Sequence, residues 1–280
     1  MRSSVAKALL AGLLIVRAGD AAAEESGVAV VSPPSAAGST ATPVKARQGP
    51  KYPGIPQKPV NFRDPPREYT PVLAAGWTIQ VEKQALAEEP ELAGKAAARL
   101  GQKLNEALAA LPEASRANLK KLKIFLMYGP KAKGGGRDNG TEYYQPQAPD
   151  CYPTLDPHWG NSIVIYSAEN YEWQSDLWAL KLTLHELAHA HHLGQWPEDR
   201  AEIVRAYENA MNRKLYRNVR TDQGQTVAKA YAIENPMEYF AELSCMYFAG
   251  CDYAPRNRQE LATYDPEGYA MIRELWEIKQ

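Results

Sequence analysis

Residues Leu184 to His192 read LHELAHAHH, and within them His185, Glu186 and His189 form the pattern H-E-x-x-H. In a helix, side chains four residues apart stand one above the other on the same face. Two imidazoles placed so can share a single metal ion, and the glutamate beside the first can reach a water on that ion. The flanks Leu182, Leu184, Leu187, Ala188 and Leu193 are those of a buried helix, and neither Pro nor Gly interrupts them before Gly194. The stretch predicts a helix from about Asp176 that carries zinc chemistry.

The rest of the chain bounds that reading. With 280 residues and 45% hydrophobic content it can bury a real core. A formal net charge of -1 offers no basic footprint for nucleic acid. Beyond the N-terminus no apolar run is long enough to span a bilayer. Arg2 and Lys7, the apolar run Ala8 to Val16 and the small residues Ala21-Ala22-Ala23 together predict a cleaved secretory signal over 1–23. A secreted or periplasmic protein is therefore expected, and the chain is read as a monomer. Export permits a Cys245–Cys251 or a Cys151–Cys251 disulfide, and sequence does not choose between them.

Residues 24–66 are rich in Pro, Ala, Ser and Gly and read as a linker or arm, leaving 67–280 as one domain. Its opening strand is expected over Gly76 to Val81, followed by a helix over Pro90 to Leu111 and a helical turn over Ser115 to Lys121. Leu122 to Tyr128 and Asn161 to Tyr166 read as strands. Between them Gly129 to Gly160 reads as a long irregular loop, with Gly134-Gly135-Gly136 as a flexible lid or hairpin tip. Helices are expected over Glu198 to Tyr216, from Pro236 to about Phe248, and from Pro266 through Trp276. The fold class is α+β, with a small mixed sheet in the N-terminal part and a mainly helical C-terminal part.

A catalytic zinc keeps three protein ligands and one open position. The metzincin continuation fails, because His192 stands where that pattern needs Gly and Gln195 where it needs His. A carboxylate from a second helix is the expected third ligand. Glu208 has a suitable spacing after His189 but sits in the charged run AEIVRAYENAMNRK. Glu238 sits in the apolar run PMEYFAELSCMYF, where a lone carboxylate is costly unless a metal or partner compensates it. Glu242, four residues on, shares its face, so one of the two can ligate the metal while the other orients a ligating histidine from behind.

The combination of H-E-x-x-H, Tyr231 and the E-Y-F-A-E run of Glu238 to Glu242 resembles the catalytic domain of anthrax lethal factor and the clostridial Pro-Pro endopeptidases of the same clan. The resemblance covers roughly residues 161–248. It implies a zincin-like fold and one zinc ion on His185, His189 and Glu238. It also implies Glu186 as general base for a zinc-bound water, Tyr231 as oxyanion donor and Glu242 as the partner behind a ligand. An endopeptidase acting on an extended protein or peptide substrate follows, with the strand Ser162 to Tyr166 as the exposed edge that pairs with it. A non-catalytic binding or cell-envelope protein of the same fold, and a zinc amidase acting on cell-wall peptides, are the alternatives. His191 and His192 are expected at the surface or behind the ligands, and His158 in a loop. Tyr166, Tyr171 and Trp173 are expected either to shape subsites or to pack the core.

Overall fold

The computed structural model describes residues 60–279. The expected signal segment and the arm up to residue 59 lie outside them. In chain order the elements are β1 (Tyr69–Ala74), β2 (Trp77–Glu82), α1 (Lys83–Glu88), α2 (Pro90–Ala110), α3 (Glu113–Leu119), β3 (Lys123–Leu126) and β4 (Thr141–Tyr144). Then follow α4 (Ala148–Cys151), β5 (Ser162–Ile165), α5 (Ala168–Trp173), α6 (Asp176–Gln195) and α7 (Ala201–Asn212). The chain closes with β6 (Arg217–Arg220), β7 (Thr226–Lys229), α8 (Pro236–Phe248), α9 (Arg258–Tyr264) and α10 (Pro266–Leu275). The fold is mixed α+β.

Five strands form one sheet in the order β1-β2-β3-β5-β4. β2, β3 and β5 run parallel, while β1 and β4 close the two edges antiparallel. The central strands KIFL and SIVI are apolar on both faces because both faces are covered. On one face Ile79, Ile124, Leu126, Ile163 and Ile165 meet α2 and the core that α6 and α8 share. On the other, Phe125, Val164, Tyr144 and Tyr166 pack with Phe62 and Trp159 in a smaller cluster.

Several expectations change here. The stretch from Gly129 to Gly160 is not structureless: it holds β4 and α4, and only the short alternation TEYY betrays the strand. β5 is not an edge, because β4 covers its open side. Gly134 and Gly135 are pinned rather than flexible, since their carbonyls accept from the Arg67 guanidinium at 3.0 and 2.9 Å. Arg67 is itself held by the buried carboxylate of Glu82 at 2.9 Å. Residues before 67 already take part in the packing, with Phe62 buried against Trp159 at a ring separation of 4.7 Å. The charged helix runs from Ala201 to Asn212, shorter than expected at both ends, and turn residues 213–216 lead from it into the β6–β7 hairpin. All three cysteines are free thiols, Cys151 exposed and Cys245 and Cys251 buried.

α2 lies close against β1 at Gly101, where an added Cβ would sit 2.4 Å from the carbonyl oxygen of Ala74. Helix propensity alone favours Ala over Gly by about 1 kcal/mol. Overpacking against backbone costs about 1–3 kcal/mol, and backbone cannot swing aside as a side chain can. Gly101→Ala is therefore expected to destabilise the domain, read as a lower urea midpoint with an unchanged slope.

Candidate metal centre

α6 is buried on nearly every side from Ala179 to His192, as a helix in the middle of a domain must be. Ser175 caps it, its hydroxyl accepting from the amide of Trp178 at 3.2 Å. α8 packs along it and starts as cleanly, with Pro236 in the first turn and the Asn235 side chain accepting from the amide of Glu238. Both helices carry their polar residues at a spacing of four, so the packed faces match. Lys181, His185 and His189 line α6; Glu238 and Glu242 line α8.

Three donor atoms converge between them. The Nε2 atoms of His185 and His189 are 3.0 Å apart, and Oε2 of Glu238 lies 2.9 Å from the first and 3.2 Å from the second. Ligands on a tetrahedral ion with bonds of about 2.0–2.1 Å stand about 3.3 Å apart, so this group needs only a slight expansion to hold one. The chemistry of the donors fits as well. Nδ1 of His185 faces Oε1 of Glu242 at 3.1 Å, an oxygen that accepts, so with a metal ion bound Nδ1 would keep its proton and Nε2 would offer its lone pair to the cluster. His185, His189 and Glu238 can thus bind a metal ion.

Behind His185, Glu242 is fully buried. Burial pushes its carboxyl up, but Lys181, His185 and the Tyr253 hydroxyl reverse that and hold it near 2. For Glu238 burial likewise opposes ionisation, and the two histidines outweigh it, leaving it well below the usual carboxylate range. His185 is drawn down by burial and brought well above its ordinary value by Cys245, Glu238 and Glu242.

Glu186 points the other way, toward the sheet edge. One of its oxygens accepts from the Thr141 hydroxyl at 2.8 Å and the other from the backbone amide of Tyr143 at 2.7 Å. Burial raises its pKa above the usual carboxylate value against the pull of the two histidines. Tyr231 lies in a short 3-10 turn (Tyr231–Ile233) with its ring centre 5.9 Å from that of His185. Burial, then the charge of Glu238, keeps its phenol far above the ordinary tyrosine value, so the hydroxyl stays protonated.

The structure thus brings together His185, Glu186, His189, Tyr231, Glu238 and Glu242. Glu208 is exposed on α7 and is not among the metal-binding group. His191 and His192 are not at the surface. His191 stacks on Trp276 at 3.9 Å, and His192 packs on Phe240 and hydrogen-bonds the carbonyl of Pro197. His192 continues the ligand face but lies about 10 Å further along the axis than His185, past the cluster. His158 is exposed, but in a short 3-10 turn (Pro157–Trp159) rather than a loop, and pairs with Asp156. Tyr166 and Tyr171 are core: the first bonds Glu142 and Tyr144, the second Thr183, and Trp173, on α5, is half-buried. Thr141, Tyr143, Lys181 and Tyr253 were not foreseen. Lys181 alone left a trace, as a lysine four residues before His185 in an apolar helix.

Glu238→Ala and His189→Ala are each expected to abolish uptake of a divalent metal ion by the purified chain, measured by elemental analysis after metal loading, while Glu208→Gln leaves uptake unchanged. No family model, curated protein or solved structure matches the chain.

Proposed function

We propose that this chain is an exported zinc peptidase with a zincin-like fold, hydrolysing peptide bonds in extended substrates. The observation that carries the reading is the convergence of His185, His189 and Glu238 to within 2.9–3.2 Å, with Glu186 next to the first ligand. A zinc ion bound there would supply Lewis acidity and an acidified water. Zinc is the ion of this reading because two imidazoles of an H-E-x-x-H helix and one carboxylate form a catalytic zinc set.

The chain's own groups supply the rest. Glu186, with its raised pKa, takes a proton from the attacking water and returns it to the leaving amine. Tyr231, held protonated, donates to the oxygen on which negative charge develops. The substrate lies along β4 rather than along Ser162 to Tyr166. In the antiparallel pair, Gly140 accepts from Tyr166, so the backbone groups of Thr141 and Tyr143 turn to the outer edge. An added strand there runs past the carboxylate of Glu186, which already touches the Tyr143 amide. No helix among the described residues is long and apolar enough to cross a membrane.

Zinc-loaded protein is expected to cleave members of a mixed peptide library, and a chelator to stop it. Glu186→Gln should keep one zinc per chain and lose turnover. Tyr231→Phe should lower kcat by roughly 10²–10³-fold with little change in KM, the size expected for one oxyanion donor. Cleavage of nothing in the library by zinc-loaded wild type would overturn the peptidase reading in favour of a binding protein.

A further inference from the structure

Lys181 is an anomaly in the buried helix. Its side chain is 5% exposed, yet it has no role in the ligand set. It lies one turn before His185 on the same face and contacts Glu242 at 3.0 Å and Asp252 at 2.8 Å. The rings of Trp178 and Tyr253 lie 4.9 and 4.8 Å from it. Tyr253 also donates its hydroxyl to the Glu242 oxygen that Lys181 contacts. One oxygen of Glu242 is therefore held by Lys181 and Tyr253, and the other is left to His185 Nδ1.

We propose that Lys181 is a positioning residue for the metal centre, clamping Glu242 so that its free oxygen fixes the orientation and tautomer of His185. The role rests on the metal-centre reading above. A buried carboxylate with no cation beside it turns toward another donor. That turn would take its oxygen away from Nδ1 of His185 and blur where Nε2 points. His189 cannot make up the loss, since its own Nδ1 is buried with no partner among the described residues. The centre has one oriented histidine, and Lys181 is what keeps it oriented. Asp252 and Tyr253 bring a second element into the clamp: the amide of Asp222 donates to the Asp252 carbonyl, and Thr221 pairs with Tyr253, so the hairpin loop holds this segment in place.

The test is zinc affinity, measured on the full chain by competition with a chromogenic chelator. Lys181→Met keeps the length and apolar stem of the side chain, and is expected to weaken zinc binding 10–100-fold, the range seen when an outer partner of a ligand is lost. Because Lys181 acts through Glu242, the double variant K181M/E242Q should bind zinc no more weakly than E242Q alone. A lysine that merely packs would give additive losses, and that result would overturn the clamp. Should K181M fail to fold, Tyr253→Phe removes one donor to the same oxygen with almost no change of shape. It is expected to weaken zinc several-fold, and unchanged affinity in it would overturn the clamp too. Wild type that takes up no zinc would overturn the centre itself and this role with it. Wild type that binds zinc beside a folded K181M that binds equally well would overturn the clamp alone.

Discussion

The contact between α6 and α8 governs this molecule, because it buries charges that neither helix could bury alone. Along the seam the polar residues alternate between the helices: Lys181 meets Glu242, Glu242 meets His185, His185 meets Glu238, and Glu238 meets His189. Sliding one helix past the other by a turn would leave a carboxylate or an ammonium unpaired in an apolar interior. Such an error costs several kcal/mol, a large share of a domain's whole stability. Apolar packing alone would tolerate many registers of these two helices, whose faces are rich in Leu, Ala and Phe. The charge ladder leaves one.

The sheet contributes the other half of the site. β4 is only four residues long, yet it closes the edge of the sheet beside α6 and holds both oxygens of Glu186. The candidate metal-binding side chains are thus set by helix packing, and the proposed base by a strand edge. Glu186 meets both elements, being next in sequence to a ligand and in contact with the edge. A rigid helix fixes its backbone, and two donors fix its carboxylate, so its position depends on no solvent-exposed contact.

How much of this was legible follows from which interactions are local. The helix pattern of H-E-x-x-H and the capped start of α8 are set within a turn or two of chain, and both could be read directly. Glu238 and Glu242 were legible for a different reason: carboxylates in an apolar run are expensive, so their presence implies a compensating partner. β4 was hidden because a four-residue edge strand has too little periodicity to stand out from a Gly- and Pro-rich stretch. With β4 hidden, β5 was misread as an edge, although its unbroken apolar run SIVI is what a strand covered on both faces carries. His191 and His192 were misread because histidines beside a metal motif suggest solvent or metal. Their rings instead cover Trp276 and Phe240, contacts that no spacing along the chain encodes.

The charge balance of the seam points in the same direction as its geometry. Four carboxylates gather here, from Glu186, Glu238, Glu242 and Asp252, and among the described residues the fixed cation paired with any of them is Lys181. Lys181 answers Glu242 and Asp252 at one end of the ladder. At the other end Glu238 meets the rings of His185 and His189, neither of which is a fixed cation. Protonating a histidine can settle that end, at the expense of holding a buried imidazolium against its neighbour 3.0 Å away. A divalent cation settles it with both rings neutral, both lone pairs used and Glu238 ionised. The residues at this end of the seam are arranged for such an ion, just as those at the other end are arranged around an ammonium.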